Sequence, residues 1–107
     1  MPRPIEEFKR TVESVAVIAN ATLSGDATTV ITGLTHSSKN VQEGDLFIAL
    51  PGEKVHGAEF AKDAIAQGAV AVLTDVEGAT KVHGVPVIIA ANPRRAAGVI
   101  SAWSVSY

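Results

Sequence analysis

The sequence predicts a single α/β domain in which a mostly parallel sheet of about four or five strands is flanked by helices. The chain has 107 residues, which is the usual size of one domain. Its apolar segments alternate with a segment of helical periodicity, and this order is typical of βαβ units. Hydrophobic residues make up 47% of the chain and aromatic residues only 5%, so we expect a core of Ala, Val, Ile and Leu.

The first predicted elements are a helix near residues 5–20 and a short strand at residues 30–34. Thr11 is a suitable N-cap, Glu13 would lie in the favourable first turn, and apolar residues follow at helical spacing. A glycine and an aspartate at residues 25–26 indicate a turn between the helix and the strand.

The middle of the chain predicts a strand, a helix and a second strand in succession. Residues 45–50, DLFIAL, form a near-continuous apolar run bounded by glycine and proline, which is the pattern of a central strand buried on both faces. Between residues 60 and 69 the apolar side chains recur at helical spacing, and Gly68 would end this helix. Residues 69–75, AVAVLTD, predict the second buried strand.

The last part of the chain predicts a third buried strand and a final helix. The polar stretch EGATKVHG leads to the apolar residues 85–90, and Pro93 then suits the first position of a helix. This helix carries Trp103, and it reaches the last residues, with Tyr107 at the end, without a glycine stop. We therefore expect the chain to be part of a longer protein.

Composition disfavours several classes of function. The net charge of −2 and the absence of a basic stripe argue against nucleic-acid binding. The chain has no cysteine, so it offers neither disulfides nor thiolate metal sites. The N-terminal MPRPIEEFKR contains no apolar run of signal-peptide length, and no segment approaches the roughly 20 apolar residues of a membrane span. We expect a cytoplasmic protein that contacts no membrane.

Familiar catalytic and metal-binding motifs are missing from the sequence. It has no GxxxxGK[ST] loop, no GxGxxG fingerprint and no GxSxG elbow, so it signals no ATP, NAD or serine-hydrolase chemistry. His36, His56 and His83 lack the spacing of a metal site. Neither a metal site nor a catalytic residue is predicted.

Two polar loops form the candidate binding site. In a parallel sheet, ligands bind beyond the carboxyl ends of the strands, so loops that follow neighbouring strands can form opposite lips of one cleft. The candidates are Thr35, His36, Ser37, Ser38 and Lys39 in the first loop and Gly52, Glu53, Lys54, Val55, His56 and Gly57 in the second.

The side chains of these two loops suit a nucleoside diphosphate. The serines can exchange hydrogen bonds, the lysine in each loop can meet phosphate charge, and the histidine in each loop offers a ring for stacking on a base. The glycines of the second loop allow the backbone to approach a ligand closely. The alternative interpretation, in which both loops are solvated turns, stays open at this point.

The combined motifs resemble the N-terminal domain of the Mur ligases, most closely the group that adds the third residue of the peptidoglycan stem peptide. The run ITGLTHSSKNVQEGDLFIALPGEKVHGAEFAKDAIAQGAVAVLTD carries the pattern S-x-x-V-x-x-GDLF-x-A-x-x-G, followed by HG and GA-x-AVL. The stretch VPVIIAANPRRAAGVISAW resembles the segment that leads into the ATP-binding domain of that family. The resemblance covers roughly residues 28–103.

The resemblance implies that residues 1–107 are a domain of the Mur ligase N-terminal type, which holds the UDP part of UDP-N-acetylmuramoyl-L-alanyl-D-glutamate. In the complete family enzyme, a second domain binds ATP and Mg²⁺ and a third positions the incoming diaminopimelate or lysine. Both are absent from this chain, which is therefore expected to bind substrate without catalysing the ligation. We expect a monomer that contacts its own ATP-binding domain.

The resemblance also implies which residues contact UDP. Where the family commonly has Asp-Ser-Arg, this chain has Ser37-Ser38-Lys39, so the role of Lys39 stays open. A carboxylate would repel a diphosphate, and Glu53 is expected to act through its backbone or to face ribose. The implied contacts are His36 and Ser38 in the first loop and Glu53, Lys54 and Val55 in the second, with His56-Gly57 beside them.

Two other functions are compatible with the sequence. The Mur ligase that adds D-alanyl-D-alanine has a related strand of the GDLF type. A non-catalytic α/β interaction module would instead use its polar loops and a surface around Trp103 to contact a protein, and it would have no affinity for uridine nucleotides.

Overall fold

A computed structural model describes residues 10–104 of the protein, with the side chains of residues 103 and 104 excepted. A short 3-10 helix, Gly57–Phe60, precedes the second α-helix. In chain order the other elements are β1 (Arg10–Thr11), α1 (Val12–Ala19), β2 (Thr22–Ser24), β3 (Val30–Ile31), β4 (Gly33–Thr35), β5 (Asp45–Ile48), α2 (Ala61–Gln67), β6 (Ala71–Thr74), α3 (Val76–Ala79), β7 (Val87–Ile89) and α4 (Pro93–Ser104).

A five-stranded sheet organises the domain. Its strand order is β2-β7-β6-β5-β4, and the four strands from β4 to β7 are parallel to their neighbours. Only β2 runs antiparallel, on the outer side of β7. A separate two-stranded ladder pairs β1 with β3. The predicted fold class, a mostly parallel sheet flanked by helices, is confirmed.

The near-continuous apolar runs are explained by helices on both faces of the sheet. In β5, Leu46 and Ile48 belong to the core cluster that includes α1 and α4, whereas Phe47 belongs to the cluster that includes α2. Successive strand residues point to opposite faces, so a strand covered on both sides needs apolar residues at every position. The predicted strand is interior as expected, although β6 is the middle strand of the five.

The first helix begins later than the sequence predicted. Thr11 is its N-cap, and its side chain accepts a hydrogen bond from the Ser14 N–H at 3.2 Å, as expected. However, Arg10 and Thr11 are extended and pair with β3, so residues 10–11 are strand rather than helix. Residues 5–9 of the prediction lie outside the described part of the chain. Asn20 ends the helix in the left-handed conformation with φ 54°.

The strand predicted at residues 30–34 is two strands with different partners. Residues 30–31 pair with β1, whereas β4 begins at Gly33 and pairs with β5. Between them, the Thr32 N–H donates to the Gly44 carbonyl at 2.9 Å, outside either ladder. The prediction of one continuous strand was wrong, because the local sequence pattern does not reveal that residues 30–31 and residues 33–35 pair with different strands.

Two short elements were not predicted. The strand β2 has three residues, and only Leu23 packs against the core, so its identity depends on pairing with β7. The helix α3 is a single turn in a stretch that we predicted to be a polar loop. Neither element is long enough to show a periodicity in the sequence.

The other helices agree with the prediction. Gly68 ends α2 with φ 127°, a backbone conformation that glycine adopts without strain. Pro93 is the first residue of α4, and the Asn92 Oδ1 accepts from the Arg95 N–H at 3.1 Å. The side chain of Trp103 and the whole of Tyr107, which we expected near an exposed end, lie outside the described residues. None of the helices within residues 10–104 has the length and apolar character needed to span a bilayer.

Candidate functional site

The two predicted loops begin at the same edge of the sheet. Thr35, the last residue of β4, pairs with Phe47 in the parallel ladder with β5. Because the strands are parallel, their carboxyl ends and the loops that follow them lie on one side. This edge also carries the residues that follow β6, beginning with Asp75, and those that follow β7.

The first loop is organised by its own hydroxyl groups. The Thr35 Oγ1 accepts from the Ser37 N–H at 3.1 Å and donates to the Ser37 carbonyl at 3.3 Å. The Ser37 Oγ in turn accepts from the Lys39 N–H at 3.2 Å. Thr35 and Ser37 therefore shape the turn, and His36 is left exposed at the edge of the sheet.

The end of the first loop runs back along α2. The Ser38 carbonyl accepts a hydrogen bond from the Gln67 side chain, in the last turn of that helix. A connection between parallel neighbours must return to the opposite edge of the sheet, which is why the loop takes this path. A groove of about 370 Å³ separates loop and helix, and it is lined by Ser38, Lys39, Phe60, Asp63, Ala66 and Gln67.

The second loop is closed at its base and exposed at its tip. The Gly57 N–H donates to the Leu50 carbonyl at 2.7 Å, and a Cβ on Gly57 would lie 2.8 Å from that oxygen. A Cβ on Gly52 would meet the Val55 carbonyl oxygen at 2.5 Å. The tip residues 53–55 are exposed and do not line the groove beside α2. The structure thus places the two predicted loops on one edge, and Ser38 and Lys39 also line the groove beside α2.

His56 is held by two contacts within the protein. Its Nδ1 accepts a hydrogen bond from the Ala58 N–H at 2.9 Å, which caps the 3-10 helix. Its Nε2 lies 2.8 Å from the Asp75 Oδ1, and its side chain is only 10% exposed. We predicted that both loop histidines could stack on a base, but this role fits the exposed His36 better than the mostly buried His56.

Asp75 was missed by the sequence analysis. It follows β6 directly and is the N-cap of α3, where its Oδ1 accepts from the Gly78 N–H at 2.8 Å. Burial raises the pKa of this carboxyl, but the hydrogen bonds from Gly78 and His56 lower it by a larger amount, so its pKa lies below the ordinary value. An aspartate directly after a buried strand and before a short VEGA segment was the available signal.

The lowered pKa of Asp75 predicts a stability that depends on pH. A depressed pKa stabilises the folded state above the ordinary pKa of 3.8, and this contribution is lost as the pH falls through the lower folded value. We expect the chain to be more stable than Asp75→Asn at neutral pH, with a difference that shrinks below pH 3.8. Urea unfolding of both proteins across this range measures it, and a difference independent of pH would contradict the prediction.

His56, Asp75 and Glu77 could be taken for a metal site, because one potential ligand atom of each lies within 4.8 Å of the others. The Nδ1 of His56 accepts a hydrogen bond, so in the neutral ring the proton is on Nε2, where it donates to Asp75. The lone pair of Nδ1 is then occupied by the Ala58 N–H and Nε2 carries the proton, so neither nitrogen is available to a metal. The hydrogen bonds favour an interpretation of this cluster as a structural contact between two loops.

Comparison of the sequence with models of known protein families identifies the family of this chain. A model described as the Mur ligase family, catalytic domain, matches residues 30–103. This chain belongs to the Mur ligase family. The matched range begins with β3 and includes both candidate loops, Asp75 and most of α4, and the resemblance inferred from the motifs is thereby confirmed.

Curated relatives of this Mur ligase chain are named as ligases or synthetases. The UDP-N-acetylmuramoyl-L-alanyl-D-glutamate–2,6-diaminopimelate ligase of Streptomyces avermitilis is 47% identical over 74 residues, which are 67% of this chain and 15% of that protein. The UDP-N-acetylmuramyl-tripeptide synthetase of Leifsonia xyli is 38% identical over 104 residues, which are 94% of this chain and 20% of that protein. The chain thus spans a fifth or less of the length of these relatives.

A solved structure of the same family shares the fold. The UDP-N-acetylmuramoylalanyl-D-glutamyl-2,6-diaminopimelate–D-alanyl-D-alanyl ligase from Acinetobacter baumannii matches with a TM-score of 0.73 and 20% sequence identity, over 89% of this chain and 21% of that chain. At this identity the likeness concerns the fold alone. The predicted UDP contacts stay predictions.

Proposed function

We propose that this chain is the domain of a Mur ligase that binds the UDP part of UDP-N-acetylmuramoyl-L-alanyl-D-glutamate. The complete enzyme would be an ATP-dependent amide ligase that adds the third residue of the stem peptide in peptidoglycan synthesis. The observation that carries the proposal is the 47% identity over 74 residues to a relative named for this reaction. Diaminopimelate and lysine are both compatible with this role.

The second loop supplies the strongest local argument for nucleotide binding. Its tip, residues 53–55, is exposed at the carboxyl edge of a parallel sheet, where ligands of such folds bind. Lys54 brings a flexible positive charge that can meet a diphosphate, and the neighbouring backbone N–H groups can donate to phosphate or ribose oxygens. In this arrangement Glu53 contributes through its backbone, because its carboxylate would repel the diphosphate.

The first loop completes the site in this proposal. His36 is exposed and offers a ring for the uracil base, while Ser38 offers a hydroxyl group at the start of the groove beside α2. Thr35 and Ser37 hold the turn between them. ATP and Mg²⁺ would bind to another domain of the complete enzyme, so none of these residues is assigned a catalytic step.

The proposal also includes the cellular location, the oligomeric state and the partners of the chain. It would act in the cytoplasm, as a monomer, and would contact its own ATP-binding domain rather than nucleic acid or a membrane. The ligase that adds D-alanyl-D-alanine is the alternative substrate assignment, and the interaction module is the alternative from another class. The names of the curated relatives favour the third-residue ligase over both.

The proposal predicts a specific pattern of ligand binding. The chain is titrated with UDP-N-acetylmuramoyl-L-alanyl-D-glutamate, UDP and ATP while backbone amide shifts are followed by NMR. We expect shifts confined to residues 35–39 and 52–57, reproduced largely by UDP and hardly by ATP. Lys54→Ala should weaken UDP binding about tenfold, which corresponds to one charge-assisted hydrogen bond.

Lys62→Ala is the matched control for this experiment. Lys62 is an exposed lysine on α2 that lines a different groove, together with Ile65, Lys81 and His83. Its replacement removes the same charge and should leave the affinity for UDP unchanged. Equal losses in both variants would indicate unspecific attraction of the anion, and no shifts at millimolar ligand would favour the interaction module.

A further inference from the structure

A side-chain contact joins the second loop to the segment after β6. The His56 Nε2 donates to the Asp75 Oδ1 at 2.8 Å, across 19 residues of sequence. Both side chains are largely removed from solvent, with exposures of 10% and 22%. The contact therefore connects two neighbouring loops at the carboxyl edge of the sheet, and we call it the His56–Asp75 clamp.

Each group in the clamp is also fixed by a backbone N–H. The Asp75 Oδ1 accepts from Gly78 at 2.8 Å, and the His56 Nδ1 accepts from Ala58 at 2.9 Å. The ring is thus held in the tautomer that carries its proton on Nε2, and neither partner is free to turn. A Cβ on Gly78 would collide with His56 and Thr74, so the absence of a side chain there leaves room for the ring.

The clamp acts on the second loop at a position next to its exposed tip. The base of this loop is closed between Leu50 and Gly57. His56 lies directly after the tip residues 53–55, which are exposed. Fixing His56 therefore restricts the conformations that the tip can adopt before a ligand binds.

We propose that Asp75 is a positioning residue for the UDP-binding tip, acting through His56. The inference rests on the proposed function, because it requires that residues 53–55 contact the nucleotide. Asp75 touches no ligand in this arrangement. It holds the His56 ring, and the ring holds the tip in the conformation that binds.

Two substitutions separate the clamp from helix capping. Serine is a good N-cap residue, so Asp75→Ser keeps an acceptor for the Gly78 N–H but is too short to reach His56. Asp75→Asn keeps an oxygen that can accept from both groups. We expect Asp75→Ser to weaken binding of UDP-N-acetylmuramoyl-L-alanyl-D-glutamate about tenfold, the equivalent of one charge-assisted hydrogen bond, and Asp75→Asn to stay within about threefold of the unmodified chain.

Substitution of His56, the partner of Asp75, allows a double-mutant cycle. Asparagine can also cap the 3-10 helix, so His56→Asn retains an acceptor for the Ala58 N–H and loses the contact with Asp75. If the two residues act as one unit, Asp75→Ser combined with His56→Asn should bind as weakly as either single variant. Additive losses would overturn the inference, since each residue would then act on the ligand independently.

A control cap and a spectroscopic signal distinguish positioning from stability. Thr11→Ala removes the N-cap of α1, so it should lower the unfolding midpoint without changing affinity for the ligand. The Nε2-bound proton of His56 is observed by NMR, and it should exchange slowly with water in Asp75→Asn and rapidly in Asp75→Ser, which removes its acceptor. If affinity instead fell with the unfolding midpoint in every variant, including Thr11→Ala, the role of Asp75 would be structural only.

The outcomes separate this inference from the proposed function. If the unmodified chain binds the UDP ligand and Asp75→Ser binds it equally well, the inference is wrong and the proposed function stands. If the unmodified chain binds neither UDP-N-acetylmuramoyl-L-alanyl-D-glutamate nor UDP, the proposed function fails and the inference fails with it.

Discussion

Replacing Leu73 with Ala is expected to lower the free energy of unfolding by about 2 to 5 kcal/mol. Leu73 is fully buried in β6, the middle strand, where it pairs with Ile48 on one side and Ile88 on the other. Its side chain packs in the cluster that α1 and α4 cover. Removal of the isobutyl group loses apolar burial and leaves a cavity that neighbours on both strands can fill only in part.

Urea unfolding followed by circular dichroism measures this loss. Val17→Ala is the matched control, because Val17 is 73% exposed on α1 and its truncation should change stability by no more than about 0.5 kcal/mol. The dependence of the unfolding free energy on urea should be similar for both variants. A Leu73→Ala loss as small as that of the control would contradict the packing of β6 between two helical layers.

Replacing Gly57 with Ala is expected to abolish most binding of UDP-N-acetylmuramoyl-L-alanyl-D-glutamate. The new Cβ would lie 2.8 Å from both the nitrogen and the oxygen of Leu50, and these are backbone atoms, which cannot give way as the end of a flexible side chain can. The base of the second loop must therefore open, which displaces the tip residues 53–55. We expect a loss of affinity of about tenfold or more, and of stability by about 1 to 3 kcal/mol.

Gly98→Ala provides the control for this substitution. A Cβ on Gly98 would meet nothing within 4 Å, and the residue lies in the exposed part of α4. Alanine has the higher helix propensity, so this variant should gain about 0.5 to 1 kcal/mol and retain full affinity for the ligand. Titration and thermal unfolding of the two variants side by side measure both effects. A Gly57→Ala chain that binds normally would place the UDP site away from the second loop.

The principal elements were predictable because their signals are local. Residues 45–50 and 69–75 are apolar at almost every position, and a strand buried on both faces requires this. Gly68 and Pro93 marked a helix end and a helix start through backbone preferences that each residue carries in any context. Thr11 was correctly identified as a cap, but its own extended conformation and its pairing with β3 were not.

The candidate site was predictable only in part. Parallel strands place the ends of β4 and β5 at one edge, so both loops could be identified from the order of strand and loop. The path of the first loop along α2 depends on the contact between Ser38 and Gln67, which are 29 residues apart. For this reason the groove beside α2, with Phe60 in its wall, was not anticipated.

The sequence by itself determined the fold class, the family and the two loops, since periodicity, turn residues and motif spacing are properties of short segments. The tertiary structure decided which strands pair and which polar groups meet. Thr22–Ser24 is a strand only because it pairs with β7. The His56 ring is held in place only because Asp75, which follows β6, lies beside it. These contacts join residues that are distant in the chain, and no local preference of either partner specifies them.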